Sequence, residues 1–186
     1  MINNIEKAKH WLQVVGRDFM EPMGYLPLGL LAGAVFMAIV LMVNVIRRKT
    51  GRHFPDKLSV KTLLVIYGTV LLQQAFFSRE PGSRDGIDLR LFATWKSAVP
   101  GRYFVENILM FVPLGILLPL GFKNMGDFHR CLLAGFGSSV VLECLQLWTR
   151  RGYCQLDDVL TNTIGTAAGF LLCRLYCEVR CACKKG

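Results

Sequence analysis

Acidic residues and histidine are scarce in this chain. Of its 186 residues only 13 are Asp or Glu, and only three are His. His10, His53 and His129 sit in separate segments, which excludes a multi-histidine metal centre and leaves no histidine base beside a serine. The seven cysteines are an odd number without CxxC-like spacing, unlike a secreted disulfide framework or a thiolate zinc site. Cys173, Cys177 and Cys181 fall on one helical face with Cys183 nearby, and we read them as small apolar residues at a helix end. Residues 1–20 carry charges throughout and lack the apolar core of a cleavable signal, so the first apolar block is expected to direct insertion itself. No fixed-period repeat, low-complexity segment or nucleic-acid-binding motif is present.

Apolar residues fill the space these absences leave. They make up 53% of the chain and gather in long blocks separated by short charged stretches. A helical crossing of the hydrocarbon core needs about 20 mostly apolar residues. Five blocks answer to this: about Leu26–Ile46, Val60–Phe77, Tyr103–Phe122, Cys131–Trp148 and Asp158–Tyr176. The expected fold is an all-α polytopic membrane helix bundle, because lipid leaves only helices and closed barrels. Residues 4–20 place Ile5, Ala8, Leu12, Val15 and Phe19 at helical spacing, as in an interfacial helix. The domain plan is therefore residues 1–25 interfacial, 26–178 transmembrane and 179–186 a basic tail.

The net charge of +9 would suggest nucleic acid in a soluble protein. Here Lys and Arg flank the apolar blocks, where they meet lipid headgroups and set topology. With five crossings, twelve of the 22 Lys and Arg fall on the side of the C-terminus and ten on the side of the N-terminus. This favours the N-terminus outside. Membrane lipids are the expected partners, and nucleic acid is not.

Polar residues within crossings are costly and mark sites or structural pairs. Glu143, Gln146 and Arg150 share one face of the fourth crossing, continued inward by Ser139 and Gly135. Asp158, Asn162, Gly165 and Gly169 share one face of the fifth, and the two small faces are expected to pack together. Asn107 and Glu106 begin the third crossing on the same side, where the second ends at Arg79 and feeds a loop with Arg84 and Arg90. Acids, amides and arginines thus converge on one rim. For Glu143, Arg150 is the nearest partner by sequence, with Arg79 and Arg84 as alternatives. The binding candidates are Arg79, Arg84, Asn107, Glu143, Gln146, Arg150, Asp158 and Asn162. Glu143, Asp157 and Asp158 are the candidates for acid–base chemistry. The same acids offer oxygen ligands, but Asp-Asp pairs are common and no metal or other cofactor is expected. The bland reading is that the cluster only glues helices.

The order of these elements resembles the VanZ family. Asn107-Ile108-Leu109-Met110-Phe111-Val112-Pro113-Leu114-Gly115, Glu143-Cys144-Leu145-Gln146, Arg150 or Arg151, and Asp157-Asp158-Val159-Leu160-Thr161-Asn162-Thr163-Ile164-Gly165 are similar to its N-(L)-x-F-x-P-L-G, E-x-x-Q and D-D-x-x-x-N-x-x-G elements. The resemblance runs from about Arg79 to Leu172. The loop departs from the family: Asp88-Leu89-Arg90-Leu91-Phe92 replaces an Asn-Leu-x-Pro-Phe-like segment. The resemblance implies a bacterial cytoplasmic-membrane protein associated with reduced susceptibility to teicoplanin and related lipoglycopeptides. Two functions follow as expectations: a rim that binds the drug or a lipid-linked cell-wall precursor, or a membrane-embedded enzyme that modifies such a precursor or a phospholipid headgroup. The lack of an inverted repeat speaks against a transporter.

Overall fold

A computed structural model describes residues 2–48, 57–82, 86–91 and 101–183. The described residues form helices α1 (Ile2–Met20), α2 (Leu26–Arg48), α3 (Leu58–Leu72), α4 (Arg102–Gly121), α5 (Phe128–Trp148) and α6 (Leu156–Cys183). One 3-10 turn, Glu21–Tyr25, joins α1 to α2, and α3 ends in a π-helical turn, Gln73–Phe77. Four helical stretches among the described residues are long and apolar enough to cross a membrane: Ile5–Val45, Leu58–Phe77, Arg102–Gly121 and Phe128–Trp148. The fold is an all-α bundle of this kind, and its apolar blocks match the five expected from sequence.

The fifth block, α6, is not among those four stretches. It has 28 residues, about 42 Å at the helical rise. Its polar side chains Asp157, Thr161, Asn162 and Thr166 are all buried. A helix at the centre of a bundle can carry a polar face because its neighbours, not lipid, cover it. The outward faces of the bundle carry apolar side chains, with Leu63, Leu133, Val141 and, on α6 itself, Leu171 exposed as a lipid-facing surface requires.

Backbone contact sets the arrangement of α4 and α6. A Cβ at Gly165 would overlap the Ile108 carbonyl, and one at Gly169 would overlap the Val112 carbonyl and reach within 3.0 Å of Gly115 Cα. The glycine pair of α6 therefore packs on α4, contrary to the expectation that it faces α5. The two helices run parallel, since Ile108 meets Gly165 and Val112 meets Gly169. The small face of α5 does meet α6, but one stripe over: a Cβ at Gly135 would overlap the Thr166 side chain, and Ser139 meets Asn162. A short connection made α5 and α6 neighbours, yet the glycines serve the closer of α6's two partners.

Local signals fix the remaining pieces. Asp127 caps α5 by accepting the Arg130 amide at 3.1 Å. Pro119 has no N–H for the Gly115 carbonyl, and the Cys131 thiol lies 4.0 Å from that oxygen as its donor. Tyr67 of α3 donates to the Met110 carbonyl at 2.9 Å, beside a core of Ala75, Phe111, Leu114 and Leu142. Arg102 joins α1 to α4: its Nε lies 2.6 Å from Asp18 Oδ2 and 2.7 Å from Glu106 Oε1.

The chain is not wholly helical. Ile87–Asp88 (β1) pairs in parallel with Cys154–Gln155 (β2), Ile87 opposite Cys154 and Asp88 opposite Gln155. This bridge ties the long loop across the α5–α6 connection. Non-helical backbone is tolerated there because its hydrogen bonds are met by protein.

Candidate functional site

The site grows from α5 and α6 where they meet under the β1–β2 bridge. Glu143, on the inward face of α5, is 2% exposed, and its Oε2 accepts the Gln155 amide at 3.0 Å. Gln155 is a bridge residue, so the bridge closes over the carboxylate. Three residues on, Gln146 is also 2% exposed and donates Nε2 to the Ala75 carbonyl at 2.7 Å. That carbonyl lies in the π-helical turn that ends the second crossing. On α6, Asp158 accepts Asn107 Nδ2 at 2.8 Å, which links α6 to the start of α4. One turn deeper, Asn162 Nδ2 lies 2.8 Å from Ser139 Oγ, which links α6 to α5. Asp157 is 1% exposed in the first turn of α6, where the helix dipole favours an acid.

Arg79 is the cation of this cluster. Its positive charge acts on both Glu143 and Asp158, and the two acids act on each other. Gly152 explains how the guanidinium comes so close. A Cβ there would stand 2.7 Å from Arg79 Nη1 and 2.8 Å from Gln146 Oε1, so both side-chain ends pack directly on the α5–α6 connection and a larger residue would displace them. Among the described residues no group of three His, Cys, Asp or Glu side chains is placed to hold a metal ion. The Cys154 thiol above the acids is pushed up from its ordinary range, first by burial and then by the charge of Glu143, so it is held as a neutral thiol. On the outer loop Arg90 grips Asp88 through Nε and Nη2, at 2.9 and 3.0 Å, and holds its carboxyl below the ordinary range.

Six of the sequence-derived candidates, Arg79, Asn107, Glu143, Gln146, Asp158 and Asn162, are brought together here, with Asp157 beside them. Arg84 lies outside the described residues. Arg150 does not continue the α5 face. The helix stops at Trp148, and Arg150 turns left-handed at φ +54°. The Arg150 amide bonds the Leu147 carbonyl and the Arg151 amide bonds the Gln146 carbonyl, at 3.1 and 2.9 Å. This is a helix-ending Schellman turn with arginine where glycine is usual. The helical phase of α5 ends two residues before Arg150, whose side chain is exposed. A non-glycine residue in this conformation costs roughly 1–2 kcal/mol, and exposed ion pairs offset little of it. Arg150→Gly is therefore expected to raise stability by about 1 kcal/mol, read as a higher melting temperature in detergent.

Sequence reasoning passed over Gly152 and Gln155, and named Arg151 only as the alternative to Arg150 in the family resemblance. Their signals were weak: one arginine beside another, one glycine in a loop, and an amide donor that any residue supplies.

An apolar helix bundle with a buried, hydrogen-bonded polar cluster at one end defines a multi-pass membrane protein. The family model described as VanZ/LLP1 matches residues 34–177, and the chain belongs to that family. Among curated relatives, Protein VanZ from Enterococcus faecium is 33% identical over 75 residues, 40% of this chain. The chain spans 44% of that relative's length. No solved structure matches.

Proposed function

We propose that the protein acts in the bacterial cytoplasmic membrane to lower susceptibility to teicoplanin and related lipoglycopeptides, by binding the drug or a lipid-linked cell-wall precursor at the rim. The observation that carries this reading is the joining of Glu143, Gln146, Asp158 and Asn107 from three helices around Arg79. Buried acids and amides cost several kcal/mol unless something uses or pairs them. The polar cluster exceeds what holding α5 to α6 requires, because Gly135 and Ser139 already do that. Family membership supplies the link to resistance. The excess of Lys and Arg on the other side supports a rim that faces outward, where such drugs act, with α1 lying at that interface.

A second reading is a membrane-embedded enzyme on a lipid-linked precursor or phospholipid headgroup. It is favoured by two carboxylates, Glu143 and Asp158, near enough to influence each other and sharing one arginine. Such pairs divide acid and base roles. Glu143→Gln separates the readings, because it keeps shape and removes both charge and acid–base chemistry. Teicoplanin tolerance of a sensitive host and drug binding to purified protein in nanodiscs are the two readouts. Loss of both supports binding. Loss of tolerance with binding intact supports the enzyme. Full tolerance at wild-type protein level would refute both.

A further inference from the structure

The end of the second crossing is held by a residue from another part of the chain. A helix leaves its last carbonyls without backbone donors. At the π-helical turn Gln73–Phe77, the Ala75 carbonyl is taken by Gln146. Three of the next four, those of Phe76, Phe77 and Arg79, are met by one side chain. Arg151 Nη1 lies 3.3 Å from the Phe76 carbonyl, 3.5 Å from that of Phe77 and 2.9 Å from that of Arg79. Its guanidinium also lies over the Phe76 ring, 5.0 Å from the centroid, and 5.9 Å from that of Phe77. Carbonyls, which are negative dipole ends, and an aromatic face both favour a planar cation here.

This clamp grips the backbone of the residue whose side chain enters the site. The Arg79 carbonyl is bonded to Arg151, and the Arg79 guanidinium lies against Gly152, the residue after Arg151. The helix-ending turn at Arg150 fixes where Arg151 starts. The α5 terminus therefore determines the position of Arg79 through a short, rigid path.

We propose that Arg151 is the positioning residue of the rim: by holding the carbonyls of Phe76, Phe77 and Arg79, it places the Arg79 guanidinium at Gly152, beside the Gln146 amide. The claim about position stands on geometry alone, and its importance for resistance rests on the function proposed above. Lysine does not replace arginine in this role: Nη1 alone reaches the three carbonyls, and what an ammonium lacks is the planar face that lies on the Phe76 ring while it does so.

The test measures Arg79 itself. Protein in nanodiscs is treated with phenylglyoxal, and the modification rate of each arginine is read by peptide mass spectrometry. In Arg151→Gln, Arg79 is expected to react at least fivefold faster than in wild type, with Arg102, held by Asp18 and Glu106 at the start of α4, unchanged. A role confined to general stability would raise both rates together, and that result, like an unchanged Arg79 rate in folded protein, would overturn the proposal. Should Arg151→Gln fail to fold, Phe76→Leu removes only the ring beneath the guanidinium and should raise the Arg79 rate about twofold; an unchanged rate there also overturns it. Arg151→Lys should behave as Arg151→Gln does, and wild-type protection in it would overturn the role given to the stacked, planar guanidinium. Arg79→Gln is assayed separately for teicoplanin tolerance. Full tolerance in that variant refutes the functional reading and leaves the positioning result standing.

Discussion

Gly165→Ala is expected to remove most folded protein from the membrane, whereas Gly137→Ala should leave it unchanged or slightly more stable. Both glycines lie inside helices, and alanine is intrinsically better there by about 1 kcal/mol. Their surroundings decide the sign. The added methyl at Gly165 would overlap the Ile108 carbonyl, a backbone atom in a helix whose hydrogen bonds resist displacement. At Gly137 nothing lies within 4 Å. Overpacking of a close contact costs roughly 1–3 kcal/mol and more where backbone must move. The α4–α6 contact is made twice more, at Gly115 and Gly169, so a shift large enough for one methyl disturbs all three. We expect about 3 kcal/mol or more, a large share of an ordinary stability of roughly 5–15 kcal/mol. Fluorescence-detected size exclusion of tagged protein, with a thermal challenge, reads this directly. Equal melting of the two variants would contradict the parallel packing of α4 on α6.

The second large effect concerns charge. Arg79→Gln is expected to destabilise the protein more than Glu143→Gln. Removing the arginine leaves two acids, Glu143 and Asp158, facing each other without their cation. Removing Glu143 leaves Arg79 paired with Asp158 and relieves the repulsion between the acids. Breaking a buried pair from one side costs about 3–5 kcal/mol, because a desolvated charge is left behind. The double variant should then recover part of the loss, with a coupling of roughly 1–3 kcal/mol between the two sites. The same cycle with Arg150→Gln should be additive, because that side chain is exposed beyond the end of α5. Melting temperatures of the four proteins in each cycle are the measurement. Coupling to Arg150 and additivity with Arg79 would reverse the assignment of the cation.

Much of this was legible in the sequence because hydropathy and helical phase are local. The blocks at 26–46, 60–77, 103–122, 131–148 and 158–176 match α2 to α6, with α3 completed by its π-helical turn, α6 running seven residues further, to Cys183, and shifts of up to three residues at the other ends. Crossing parity was enough to bring Arg79, Asn107, Glu143 and Asp158 to one end. Phase was enough to turn Glu143 and Gln146 inward. The failures have physical causes. Helical phase says nothing about where a helix stops, and α5 ends two residues before the left-handed turn at Arg150. Chain adjacency suggested that the glycines of α6 face α5, but the closest approach is with the parallel helix α4, which the 34 residues 122–155 separate from α6. The π-helical turn and the two-residue bridge each depend on partners distant in sequence, so no local pattern announces them.

The central claim is that the rim around Arg79 is what the protein uses, and that it is not merely what holds the protein together. The most direct measurement is teicoplanin tolerance per unit of folded protein in a sensitive host, compared between Arg79→Gln and Arg150→Gln. Normalising to folded protein removes the stability effects described above. Arg79→Gln is expected to lose most of the tolerance and Arg150→Gln to keep it. Tolerance per folded protein that is equal in Arg79→Gln and wild type would contradict the account.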